Sequence, residues 1–217
     1  MSRPADILIA VLGAGSARRF GADKLAQPCG GKPLGLWALE AAKGTGLPVI
    51  WIAGGTIPDW VDCEIAQNPR AAEGLGTSVA LAARLARERL AGALLVTLAD
   101  MPLVSSQFLL RLAGARAPAA CSHDFAPGVP ALIPASLFGE LEALGGDVGA
   151  ARILRGRGDV SLVDARREEL LDVDTPEALA EAESRLARWR VSARQAALDG
   201  WHLAARRCGA QDGSSPM

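Results

Sequence analysis

The 217-residue chain is predicted to be an α/β protein, a mostly parallel sheet covered by helices on both faces. Three observations predict this. Strand-like and helix-like segments alternate along the chain, with no internal repeat. Ile7–Leu12 and Ala93–Leu98 are nearly unbroken apolar runs, as strands buried on both faces are. Apolar residues make up 50% of the chain, enough for a sizeable core in one large domain with or without an appendage.

Taken in order, Ile7–Leu12 is predicted as the first buried strand, breaking into the turn Gly13-Ala14-Gly15-Ser16. Pro33–Ala42 reads as a helix, with Pro33 at its start and Gly44 and Gly46 ending it. Val49–Ala53 is a short buried strand closed by Gly54-Gly55, and Cys63–Ala66 is another near an edge. Gly76–Leu90 is an amphipathic helix that gathers Val79, Ala82, Ala83, Ala86 and Leu90 near one face. Ala93–Leu98 is the most apolar, central strand. Ser105–Leu112 follows as a helix with Ser105 as its N-cap. Ala131–Ile133 is strand-like, Leu137–Leu144 and Val148–Arg155 read as helices, and Val160–Val163 as a strand. Asp147 is read as the cap of the helix from Val148. Pro176–Arg188 is a helix with Thr175 at its cap and Pro176 at its first position.

Composition excludes several function classes. The net charge of −1 gives no global basic field for nucleic acid or membrane, and the absence of Tyr removes a stacking platform for single strands. No apolar run reaches the roughly 18 residues of a spanning helix. The first apolar stretch leads into the glycine turn rather than a cleavage site, so no signal peptide is expected. Cys29, Cys63, Cys121 and Cys208 are far apart, with no C-x-x-C, which argues against a zinc site or disulfide framework and for a reducing, cytoplasmic setting. Cys29 lies near the glycine turn and is read as a small packing residue.

Residues 1–186 are read as one domain, 187–210 as a helical appendage and 211–217 as a disordered tail. In the appendage Arg188, Arg190, Arg194, Arg206 and Arg207 accompany Trp189, Val191, Ala197, Leu198, Trp201 and Leu203. Such a basic amphipathic stretch suits docking on the domain or on a second copy, in preference to a membrane surface.

The turn after the first strand carries the chemistry. Glycines let a backbone approach a ligand and turn its amides toward an anion. Arg18, Arg19 and Lys24, just beyond, can neutralise a polyphosphate. The pattern reads as a triphosphate cradle at the carboxyl end of the strand, where open α/β sheets place their ligands. It is neither G-x-G-x-x-G, because Arg18 takes the third glycine position, nor a P-loop, because Phe20 stands where the second glycine belongs. The bland reading is a tight βα turn, which has no need of Arg19 and Lys24.

Asp100, directly after the central strand, reaches the same edge. A carboxylate facing bound phosphates is repelled unless a cation lies between, and Mg2+ prefers one or two carboxylates plus phosphate oxygens. Asp100 is therefore the first candidate metal ligand. Its alternative role, capping the next helix, falls better to Ser105. Farther on, Gly74 and Gly76 open a helix whose free amides favour an anion or a polar ring edge, and Thr77 and Ser78 add hydroxyls. An ordinary glycine loop with a hydroxyl cap is the competing reading.

Together these segments resemble the MobA/MocA-like nucleotidyltransferase family. Leu12, Gly15, Arg19, Phe20, Gly21 and Lys24 match its L-x-x-G-x-x-x-R-[MF]-G-x-x-K signature, with Gly13-Ala14 at its usual small-residue pair and Ala17 where Ser often stands. Asp100-Met101-Pro102 matches L-x-D-M-P, and Asp172 to Glu177 matches D-[IV]-D-T-P-E. Asn68-Pro69 through Val79 resembles its base- and sugar-contacting element. Gly128-Val129-Pro130 and Gly146–Arg152 follow its last two patterns, with Arg152 displaced by one position.

The resemblance covers about Ile7 to Leu186. It implies a three-layer Rossmann-like sandwich with a mostly parallel mixed sheet, of the nucleotide-diphospho-sugar transferase type. It implies transfer of a nucleoside monophosphate from an NTP to a phosphorylated acceptor, releasing pyrophosphate. The closest branch is the molybdenum cofactor cytidylyltransferases, with CTP as donor and the terminal phosphate of molybdopterin as acceptor. The roles it implies are catalysis by Arg19, Lys24 and Asp100, and Mg2+ on Asp100 and Asp174 with Asp172 in reserve. Nucleotide binding falls to Leu12, Gly13, Ala14, Gly15, Ser16, Arg19, Lys24, Asn68, Gly74, Gly76, Thr77, Ser78 and Asp100. Asp174 has the alternative role of starting the helix at Pro176. Partners expected are these small molecules and a molybdoenzyme or second copy, with neither nucleic acid nor membrane. The alternatives are GTP or a sugar or polyol phosphate on the same fold, and a non-catalytic nucleotide-binding maturation partner. His123 and His202 lie outside the motifs, which suits an acceptor phosphate that is largely dianionic at neutral pH and needs no general base.

Overall fold

The computed structural model describes residues 6–14, 24–123 and 126–189. Its first strand, β1 (Ile7–Gly13), is followed by a small hairpin of β2 (Pro28–Cys29) and β3 (Lys32–Pro33), then by helix α1 (Leu34–Lys43). Strands β4 (Val49–Ala53) and β5 (Glu64–Gln67) precede α2 (Leu75–Glu88). Strand β6 (Ala93–Leu98) leads to α3 (Ser106–Gly114), and β7 (Ala119–His123) and β8 (Ala126–Pro134) form a second hairpin. Helices α4 (Phe138–Glu142) and α5 (Ala151–Leu154), strand β9 (Ser161–Val163) and helix α6 (176–189) complete it.

Seven strands make one sheet in the order β5-β4-β1-β6-β8-β7-β9. β5, β4, β1 and β6 are mutually parallel, β8 alone runs against its neighbours, and β7 and β9 are parallel to each other. This is the mixed, mostly parallel α/β sheet expected. Period-two alternation assigns each central strand two faces. Ile7, Ile9, Val11, Trp51 and Leu95 pack with Leu39 of α1 and Phe108 and Leu112 of α3. Leu8, Ala10, Leu12, Ile52 and Val96 pack with Val79 and Ala83 of α2 and Phe138 of α4. Burial on both faces is why these strands read as apolar runs.

Four details depart from the sequence reading. β7 and the first half of β8 were not expected. Small residues fill β7, and Gly128 and Pro130 are turn signals inside β8. The β2–β3 hairpin turns at Gly30 and Gly31, both at positive φ (+58° and +86°), a geometry that glycine adopts without a Cβ clash. The helix expected from Val148 starts at Ala151 with no side-chain cap, so Asp147 does not cap it. Leu90 is not on the packed face of α2. The helix ends at Glu88, and Leu90 is 89% exposed at φ +56°. Of the predicted appendage, 187–189 continue α6, while 190–210 and the tail 211–217 lie outside the described residues. No helix among the described residues is long and apolar enough to cross a membrane.

A third, smaller core joins Cys29, Leu34 and Leu103 to Val173, Ala182 and Leu186, docking α6 beside α1. Burial, helped by the Glu183 charge, pushes the Cys29 thiol up to about 11, and burial with Asp172 pushes Cys121 up to about 12. Both thiols are therefore expected to resist disulfide reagents in the native protein at pH 8. Their unfolded counterparts ionise near 9, so burial of the neutral thiols supports folding fully below pH 9. That support is lost as pH rises from 9 through the folded values. The urea midpoint should fall between pH 8 and pH 10, and fall less in Cys121→Ala. Parallel falls in the two proteins would remove Cys121 from the effect.

Candidate active site

The parallel strands end at one edge of the sheet, and Lys24, Asp100 and Asp174 come together there. β1 ends at Gly13, whose missing side chain makes room for a buried tryptophan: a Cβ would fall 2.2 Å from the ring of Trp51. Ala14 then abuts the loop after β4, since a Cβ on Gly54 would lie 2.9 Å from the Ala14 Cα. Gly15, Ser16 and Arg19, with Phe20 and Gly21, lie outside the described residues. The chain is described again at Lys24, in a single 3-10 turn anchored by buried Leu25.

Asp100 stands two residues past β6. The Ala99 amide donates to the Leu12 carbonyl at 3.1 Å, extending the β1–β6 ladder, and Ala99 and Met101 are buried on either side of it. The Val173 amide donates to the Asp100 carbonyl at 3.0 Å, and Val173 is fully buried in the third core. That bond and that side chain deliver Asp174 to the site. Thr175, not Asp174, caps α6, accepting from the Ala178 amide at 3.2 Å. Asp174 is thus left for other contacts.

The three side chains meet. Lys24 Nζ donates to Asp100 Oδ2 at 2.7 Å and to Asp174 Oδ1 at 2.9 Å. Lys24 is 10% exposed, Asp100 20% and Asp174 59%. Burial is the largest influence on Lys24 and lowers its pKa, but the charges and hydrogen bonds of Asp100 and Asp174 together outweigh it, so the net displacement is upward. The ammonium therefore stays charged throughout the neutral range. One ammonium between two carboxylates leaves an excess negative charge. Asp100 Oδ1 is buried and, with Thr97 Oγ1 in β6, lacks a hydrogen-bond partner among the described residues. An orphaned carboxylate oxygen beside an exposed carboxylate fits a hard divalent cation that completes its shell with water and phosphate. No group of three or more His, Cys, Asp or Glu side chains gathers around a common point among the described residues.

A second cluster stands at the β4–β5 end of the same edge. Asn68 is buried, and its amide donates to Thr77 Oγ1 at 3.0 Å and Ser78 Oγ at 2.9 Å. Its Oδ1 accepts from the Arg70 amide at 3.0 Å, and Thr77 Oγ1 lies 2.9 Å from the carbonyls of Arg70 and Gly74. These groups brace the loop that enters α2. The Gly76 amide, expected to be free, is occupied. It donates to the Gly146 carbonyl at 2.8 Å, and Gly74 and Gly76 cross the 145–146 backbone with no room for a Cβ. The Gly145-Gly146 pair was missed as the partner of Gly74 and Gly76, and its only sequence signal was the glycine doublet itself. Arg152, on α5, is exposed.

The chain and its fold are similar to known proteins. The MobA-like NTP transferase domain model matches residues 9–164. The chain is 30% identical to the purine catabolism protein PucB of Bacillus subtilis (strain 168) over 186 residues, covering 76% of this chain and 90% of that protein. Its fold is similar to the crystal structure of an Rv0371c homolog from Mycobacterium sp. strain JC1 (TM-score 0.70, 25% identity, 85% of this chain and 98% of that one). It is also similar to the manganese complex of Rv0371C from Mycobacterium tuberculosis H37Rv (TM-score 0.63, 26% identity, 82% and 97%). The chain belongs to the MobA-like NTP transferase domain family, whose chemistry is nucleotidyl transfer.

Proposed function

We propose that this enzyme transfers a nucleoside monophosphate from CTP to the terminal phosphate of molybdopterin, releasing pyrophosphate, with Mg2+ on Asp100 and Asp174. The observation that carries the site assignment is the convergence of Lys24, Asp100 and Asp174 at the carboxyl edge, with one Asp100 oxygen buried and unpartnered. The manganese in the Rv0371C complex, in a similar fold, supports a divalent ion. The choice of CTP and molybdopterin rests on the motif resemblance.

The acceptor phosphate is its own nucleophile, with a second pKa of about 6, so the protein has to align and neutralise anions rather than remove a proton. Lys24, with Arg19, bears the charge of the triphosphate and of the departing pyrophosphate. The amides of Ala14–Ser16 hold the phosphates in line. Leu12, Gly13, Asn68, Gly74, Gly76, Thr77 and Ser78 shape the wall for base and ribose. A bound Mg2+ would supply charge neutralisation between the donor phosphates and the two carboxylates.

The test is a screen of the four NTPs with Mg2+, with and without isolated molybdopterin and with sugar and polyol phosphates, read by pyrophosphate release. Release with CTP and molybdopterin alone is expected. Release with GTP or with a sugar phosphate instead would replace the donor or the acceptor, and no release with any pair would leave a nucleotide-binding maturation partner. Lys24→Ala is expected to weaken binding of metal-free NTP by roughly 10- to 100-fold, the worth of a charge-assisted hydrogen bond. An unchanged affinity by calorimetry would take Lys24 out of the phosphate site.

A further inference from the structure

We propose that Lys24 is the resident counter-ion of the divalent-cation position, so that the metal enters only as Lys24 leaves for the phosphates. The inference rests on the assignment of Asp100 and Asp174 as metal ligands. Its new element is that the lysine and the ion compete for the same two carboxylates.

The Lys24 ammonium spans both carboxylates, at 2.7 and 2.9 Å. They occupy one oxygen of each carboxylate that a cation shared by the two aspartates would draw on, and leave only the buried Asp100 Oδ1 without a partner on that side chain. Lys24 is nearly buried, so it cannot give them up to water at little cost. Mg2+ in turn sheds its own water reluctantly and offers no replacement anion for the lysine. A nucleotide changes both terms. Its phosphates give the ammonium a new partner, and they fill the coordination positions that two carboxylates leave open. Leu25 fixes the backbone in the core, so the four-carbon stem of Lys24 can move Nζ without moving the turn. Metal and nucleotide therefore bind cooperatively, each raising the affinity of the other by the same factor.

Mn2+ alone, followed by electron paramagnetic resonance on the full-length chain, tests this without turnover. Lys24→Met removes the ammonium, and Lys24→Gln removes the charge but keeps a hydrogen-bond donor for the carboxylates. With circular dichroism checking that each folds, at least one is expected to bind Mn2+ about tenfold more tightly than the wild type, within the ordinary range of coupling between sites. Adding Asp100→Asn to Lys24→Gln is expected to abolish the gain. If folded Lys24 variants bind Mn2+ no better than the wild type, the lysine is only a structural partner and the competition is refuted, while the transferase reading stands. If the gain survives Asp100→Asn, the ion is held elsewhere, and the metal assignment falls with the proposal.

Discussion

Asp100→Ala is expected to lower the rate of pyrophosphate release by about 10^2- to 10^3-fold, the usual effect of removing one fixed charge from a preorganised site. The effect is electrostatic. Asp100 contributes the more buried of the two carboxylates, and its Oδ1 is buried without a hydrogen-bond partner among the described residues. Without it, Lys24 keeps only Asp174, which is 59% exposed and weakly held. The fold should survive. Ala99 and Met101 remain buried, and the Val173 amide bonds to the backbone of residue 100, which the substitution leaves in place. A loss of roughly 1–3 kcal/mol from one charge-assisted bond lies within the 5–15 kcal/mol by which domains are stable. Asp100→Asn should lose as much turnover, because it keeps the shape but not the charge. Near-native release by either folded variant, judged by circular dichroism and a pyrophosphate assay, would remove Asp100 from the metal site.

The parts of this arrangement that could be read in the sequence are those written in local chemistry. β1 and β6 are buried on both faces, so their residues form nearly unbroken apolar runs that need no partner to be recognised. Ser105 and Thr175 were legible as caps because a hydroxyl stands just before a helical pattern, and both accept the expected amide bond. Asp100 was placed at the edge because a strand ends there, while Lys24 and Asp174 were expected beside it from the motif resemblance. It required the order of the motifs as well as their composition. What stayed hidden is written in contacts between distant residues. Asn68 looks like a free polar group until Thr77 and Ser78 are seen to occupy its amide. The Gly76 N–H looks available until the Gly146 carbonyl, 70 positions away, takes it. β8 was obscured because Gly128 and Pro130 signal a turn locally, while pairing with β6 and β7 keeps the segment extended.

That hidden crossing makes the strongest stability prediction. Gly74 sits at φ +117° and ψ 171°, a region essentially closed to residues with a Cβ. A Cβ there would also lie 2.3 Å from the Gly146 carbonyl carbon and 2.4 Å from its oxygen. These are backbone atoms, so no rotamer change relieves the clash. Gly74→Ala must either move the 145–146 segment or rotate residue 74, and both break the Gly76–Gly146 hydrogen bond. The strain of such backbone, about 1–3 kcal/mol, adds to overpacking of similar size, so a loss of about 2–5 kcal/mol is expected. Gly55→Ala is the control. Its Cβ meets nothing within 4 Å and its φ is not in the left-handed region, so it should change stability by no more than about 0.5 kcal/mol. The difference between the two variants in urea denaturation isolates the crossing from a general cost of replacing loop glycines. If both unfold at the wild-type midpoint, the entry to α2 does not press against the 145–146 backbone, and the wall proposed for base and ribose lacks its support.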